Sequence, residues 1–71
     1  METIIMEKLK DLGMSRHKLA KEVGMNRPKV YEVAAGFQRA TMSYQQRIAN
    51  VLEKTPEDLF DENGMARHVE K

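Results

Sequence analysis

Between Ser15 and Gly36 the apolar positions fall into two short groups with helical spacing. Leu19, Ala20 and Val23 face one way, at i, i+1 and i+4, while Arg16, Lys18, Lys21 and Glu22 stay in water. Val30, Val33 and Ala34 make the second group. The link Val23-Gly24-Met25-Asn26 is too tight for the segments to lie antiparallel, which predicts a helix-turn-helix. Gly24 can take a positive φ at little steric cost, so the chain can leave one helix and change direction within a few residues. Asn26 is expected to cap the second helix, its side-chain oxygen accepting an unpaired backbone N–H.

The rest of the pattern places further helices on either side. Residues 2–12 read as a first helix with Ile5, Leu9 and Leu12 on its inner stripe and Glu2 near its N-terminus, where the helix dipole favours negative charge. Gly13 ends it, Met14 is expected in the core, and Ser15 caps the next helix. After Gly36 the run Phe37-Gln38-Arg39-Ala40-Thr41 reads as a loop, with Thr41 capping a fourth helix over residues 42–52. Its inner face is expected to be Tyr44, Ile48, Val51 and Leu52. Thr55-Pro56-Glu57-Asp58 combines a capping hydroxyl, a proline where no N–H is needed and acids in the first turn, so a short fifth helix follows. It delivers Leu59 and Phe60, with Phe60 closing the core or a dimer contact. No segment alternates with period two, so the expected fold class is all-α: five helices and no sheet. The expected organisation is one domain over residues 1–60 and a short polar tail over 61–71, frayed apart from an Asn63-Gly64 turn.

Composition narrows the chemistry. With 71 residues beginning at Met1, the chain reads as one small, complete protein of modest stability. It has two Tyr, two Phe and no Trp, so its core must be aliphatic. The absence of Cys removes disulfides and cysteine zinc sites, and the two His are too far apart to make a metal site. No run approaches the ~20 apolar residues of a membrane span, and the first residues lack a secretory signal, so a soluble cytoplasmic protein is expected. Catalysis finds no foothold, because the carboxylates are scattered, neither His has a suitable neighbour and no Gly-rich phosphate loop is present; no cofactor and no small-molecule ligand are expected.

The net charge of +1 hides an asymmetry. Through Asn50 the chain carries nine Lys/Arg against five Asp/Glu, or +4; from Val51 onward it carries three against six, or −3. The positive excess lies in the part that holds the two-helix corner, as phosphate binding requires, although a solvated helical surface can carry the same bias.

The run MSRHKLAKEVGMNRPKV, residues 14–30, resembles the signature of lambda-repressor-like helix-turn-helix domains, the Cro/C1 or xenobiotic-response-element family. That signature reads hydrophobic-Ser-Gln-x-x-Leu-Ala-x-x-hydrophobic-Gly-hydrophobic-Ser-x-x-x-Ile. The similarity continues through Gly36, Ile48-Ala49-x-x-Leu52 and Asp58-Leu59-Phe60, so it covers residues 5 to 60. It implies a compact five-helix domain whose third helix enters the major groove of double-stranded DNA. Three departures stand out. Arg16 replaces the usual Gln that holds a phosphate, and Pro28 takes a place where many members put a base-reading amide or hydroxyl. Leu9 and Ala34 replace the two members of a customary ion pair, a joint change that leaves no buried charge alone.

Docked in that way, the third helix would bring Arg27, Pro28, Lys29, Tyr31 and Glu32 to the bases. Arg27 would pair bidentately with guanine, Pro28 would touch a thymine methyl or merely stiffen the helix start, and Glu32 would accept from cytosine or simply aid solubility. Ser15, Arg16, Asn26, Gln38, Arg39, Thr41 and Ser43 would hold phosphates on either side, from helix N-termini and the loop between them. Ser15 and Thr41 are caps in the first place. The expected function is that of a sequence-specific transcriptional regulator, a repressor of phage or mobile-element type, acting as a homodimer. The alternative is a protein-interaction module, an antitoxin-like or accessory factor that keeps the fold without binding an operator.

Overall fold

Thr3 opens the first helix and fastens it to the third. Its side chain accepts the Met6 N–H at 3.2 Å and donates to the carbonyl of Ala34, 31 residues away, with only 1% of the residue exposed. In the computed structural model, which describes residues 2–69, the elements that follow are α1 Ile4–Leu12, α2 Arg16–Val23, α3 Arg27–Ala35, α4 Met42–Val51 and α5 Pro56–Leu59. Among the described residues there is no strand, only two isolated antiparallel bridges. The chain is the all-α domain that its pattern implies, and no helix is long and apolar enough to cross a membrane.

α2 packs on α3 and α4, while α1 packs on α3 and α5. The aliphatic core they share holds Ile5, Leu19, Val30, Val33, Leu52 and Leu59, each with no exposure. Phe60 is 2% exposed, so it closes the core and is not a surface contact. α1, α2 and α3 each end on a glycine in the left-handed region, and Gly24, at φ 81°, makes the turn into α3. Leu9 and Ala34, which stand where the resemblance would place an ion pair, are both buried in the core.

Several boundaries and faces differ from the sequence reading. α1 begins at Ile4 with Thr3 as its cap, so Glu2 precedes the helix; its carboxylate lies 2.7 Å from Lys10 Nζ and raises the lysine's pKa, by hydrogen bond first and charge second. The Lys10 side chain is largely in solvent while that of Glu2 is half-buried, and a pair open to water on the lysine side contributes little. Leu12 is exposed, because the helix ends there and the chain folds back with the Met14 N–H on the Leu9 carbonyl; Met14 is half-buried. Asn26 has the backbone of a cap but its side chain accepts no N–H. α4 buries Gln45, Ile48 and Ala49, with Tyr44 and Val51 only half-buried. Gln45 can lie inside because its amide donates to the Ala40 carbonyl at 2.9 Å.

The largest correction concerns the segment expected to fray. Residues 61–69 pack on the domain. The Asp61 carboxylate accepts the N–H groups of Asn63 and Met65, a tight turn carries the chain past Gly64, and Phe60 bridges Ala66. Ala66 is 3% exposed. The Arg67 N–H then donates to Leu59, the Ile4 N–H to Arg67 and the Val69 N–H to Glu2, so the returning chain lies antiparallel to residues 2–4. Residues 70 and 71 lie outside the described part.

Gly64 tests this packing. It is buried at φ +81°, and a Cβ there would lie 2.8 Å from the Ala40 carbonyl oxygen. Gly64→Ala is expected to lower the unfolding free energy by more than about 1 kcal/mol in urea titration, through backbone strain and the clash together. A frayed tail would leave the midpoint unchanged.

Candidate nucleic-acid interface

α3 hides one stripe and shows the rest. Val30, Val33 and Ala34 turn inward, which leaves Arg27, Pro28 and Glu32 exposed and Lys29, Tyr31 and Ala35 half-buried on the flanks. At 3.6 residues per turn, Pro28 and Glu32 stand opposite the buried stripe, with Arg27 and Tyr31 along one flank and Lys29 along the other. The outer ridge of α3 is therefore bordered by cations on both sides.

Each border is ordered by an aromatic ring. On one flank the Arg16 guanidinium from α2 lies over the Tyr31 ring, 4.4 Å from its centroid. On the other, Lys29 Nζ is 5.9 Å and the Arg47 guanidinium 5.6 Å from the Tyr44 centroid. At these distances the cations meet the negative face of each ring. Arg47 also donates to the Val23 carbonyl at 3.3 Å, tying α4 to the last turn of α2 beside the Gly24 corner. Lys29 and Tyr31, which the resemblance would bring to the bases, are half-buried for this reason: each leans on its neighbouring helix.

The capping residues flank the same ridge. Ser15 Oγ accepts the Lys18 N–H at 3.0 Å and Thr41 Oγ1 the Tyr44 N–H at 3.4 Å. Each leaves the first N–H groups of its helix unpaired in the helix interior, with Ser43 in the first turn of α4. Asn26, with no cap bond to make, has its amide free at the head of α3. In the loop between α3 and α4, Gln38 is half-buried and Arg39 exposed. Backbone bonds hold that loop at both ends: the Phe37 N–H donates to Glu32 and the Ala40 N–H to Gly64.

At the exposed start of α3, Arg27 Nη1 lies 3.2 Å from His17 Nδ1 of α2. His17, Tyr44 and Arg47 were not among the DNA-contacting residues expected from the sequence. Tyr44 has the spacing of an inner-face residue, and His17 and Arg47 have that of solvated helix positions. What marks them is contact between elements, which no spacing within one helix carries.

The arrangement offers cationic and amide donors on both sides of an exposed helix and no constellation of acid, base and nucleophile. The family described as the Cro/C1-type HTH DNA-binding domain matches the chain over residues 5–63. No curated protein and no solved structure matches it.

Ser15 and Asn26 separate cap from contact. Ser15→Ala is expected to lower stability by about 1 kcal/mol, the ordinary loss of an N-cap bond, whereas Asn26→Ala should change it by only a few tenths. Thermal unfolding of the two variants reads the difference; equal losses would mean that Asn26 caps in solution.

Proposed function

We propose that this chain, which belongs to the Cro/C1-type helix-turn-helix DNA-binding family, reads a specific operator in double-stranded DNA as a homodimeric repressor. It would act in whatever compartment holds that DNA. One observation carries the reading. The outer side of α3 stands exposed at Arg27, Pro28 and Glu32, with Arg16, Lys29 and Arg47 alongside, while the opposite stripe of the same helix is fully buried. A helix held in this way can enter a groove about 12 Å wide without unpacking the domain.

Arg27 is the reader and pairs with a guanine edge; Pro28, Lys29, Tyr31 and Glu32 line the rest of the ridge. Ser15, Arg16 and Asn26 hold phosphates on one side, and Gln38, Arg39, Thr41 and Ser43 on the other, aided by the helix N-termini. Size supports the homodimer on an operator with two half-sites. The described residues extend 29 × 24 × 20 Å, less than the ~34 Å between successive half-sites on one face of the duplex, so a second copy is needed to read both.

A second reading has its own observation. Phe37 is 80% and Met42 63% exposed, and such apolar surface suits a protein partner. Salt separates the two. Binding through several phosphates makes log K fall with log salt by about 0.9 per phosphate, whereas a flat response, or no duplex binding at low salt, would favour the protein partner.

Arg27→Ala is expected to weaken the preferred duplex by about 1–3 kcal/mol and to relax preference at one base pair, while Arg16→Ala weakens all sequences alike. Fluorescence anisotropy on a panel of single-base variants checks both. A uniform loss in the two mutants would overturn the assignment of Arg27 to readout.

A further inference from the structure

Arg27 does not stand alone at the head of α3. Its Nη1 lies 3.2 Å from Nδ1 of His17, and because a guanidinium has donors and no acceptor, the imidazole must be the acceptor. Nδ1 can accept only when His17 is neutral with its proton on Nε2. The geometry points to His17 as a positioning residue for Arg27, one that fixes the guanidinium so that its remaining N–H edge presents to a single base pair. This inference rests on the DNA-binding reading above and adds to it a residue of α2 that touches no base.

An exposed arginine samples many rotamers, and ordering it costs part of whatever contact it makes. The bond to His17 restrains the side chain beforehand, as preorganisation requires. Protonation reverses the effect. An imidazolium has two donors and no acceptor, so it would face Arg27 as a second cation.

The other titratable or charged groups around His17 do not soften that repulsion. The shallow groove of about 320 Å³ that His17 lines is bordered by Lys10 from α1, Arg16 from α2 and Tyr31 from α3. No carboxylate lines it, and the Glu2 carboxylate is engaged with Lys10. An added charge at His17 would attract phosphate of any sequence while releasing Arg27. Acid therefore has opposite effects on two quantities: binding to arbitrary duplex strengthens, and discrimination at the base pair that Arg27 reads weakens.

The test uses the full chain, His17→Ala and His17→Gln, and the duplex selected by the wild type from a random pool at about pH 8. Affinity for that duplex and for its single-base variants is measured at about pH 8 and again in mild acid, at about pH 5.5. His17→Ala is expected to lose roughly 3- to 10-fold of discrimination at the base pair that Arg27→Ala affects, part of the full value of one bidentate contact. His17→Gln, whose carbonyl can accept from Arg27 without titrating, is expected to keep it at both pH values. The wild type should behave like His17→Ala at the lower pH only. Unchanged discrimination in His17→Ala, or the same pH profile in His17→Gln and the wild type, would overturn the positioning role and leave DNA binding standing. A wild type that binds no duplex at low salt would overturn both.

Discussion

The whole arrangement depends on how α3 is held from behind. Val30 and Val33 have no exposure and Ala34 has 1%, and each such valine contributes on the order of 1.5–3 kcal/mol by leaving water. Ala34 is small enough to bring α3 close to α1, where Leu9 is also buried. The Thr3 hydroxyl takes the carbonyl of the same Ala34, one of the acceptors that a helix end leaves unpaired. An ion pair between α1 and α3 would have had to offset the desolvation of two charges; an apolar pair with one hydroxyl-to-carbonyl bond avoids that cost. With its back fixed in this way, α3 can expose its first turn without losing its orientation.

The parts of the fold that the sequence made legible are those whose signals are local. Ser15, Thr41 and Thr55 cap as read, because a cap bond spans three residues and the hydroxyl, the helix and the turn all lie within sight of one another. Thr3 belongs to the same chemical type and escaped notice, since much of its role lies in a carbonyl 31 residues away. Asn26 shows the converse: the right residue in the right backbone conformation, with no bond made. Gln45 was missed because a polar residue enters a core only where a partner waits for it, here the Ala40 carbonyl. Residues 61–69 lack periodicity altogether. They are held by backbone bonds, one alanine and one glycine, none of which gives a hydrophobic pattern.

For the candidate interface, the sequence pattern shows that α3 has an outward side and where the helices begin, and it does not show how the side chains are braced. Arg16 and Tyr31 were both picked out, yet that one lies over the ring of the other is a property of the α2–α3 angle. Tyr44 combines two roles that a stripe argument treats as exclusive. It is half-buried against the core and it also faces Lys29 and Arg47. Long cationic side chains laid over aromatic faces lose fewer conformations on meeting a ligand than freely hanging ones, so in the proposed DNA-binding role the braces would bear on affinity as well as on stability.

The acidic second part of the chain also bears on the interface, through structure more than charge. Gly64 accepts the Ala40 N–H, and Gln45 donates to the Ala40 carbonyl, so both backbone groups of one loop residue are held from outside the loop. Arg39 and Thr41 flank that residue. A loop held at both ends can keep Arg39 and the head of α4 at a constant distance from α3, as the proposed clamp on a rigid duplex would require. Within the returning segment, Asp61 turns its carboxylate onto the N–H groups of Asn63 and Met65. The segment thus supports the loop with its backbone, while one of its acids, Asp61, closes the segment's own turn.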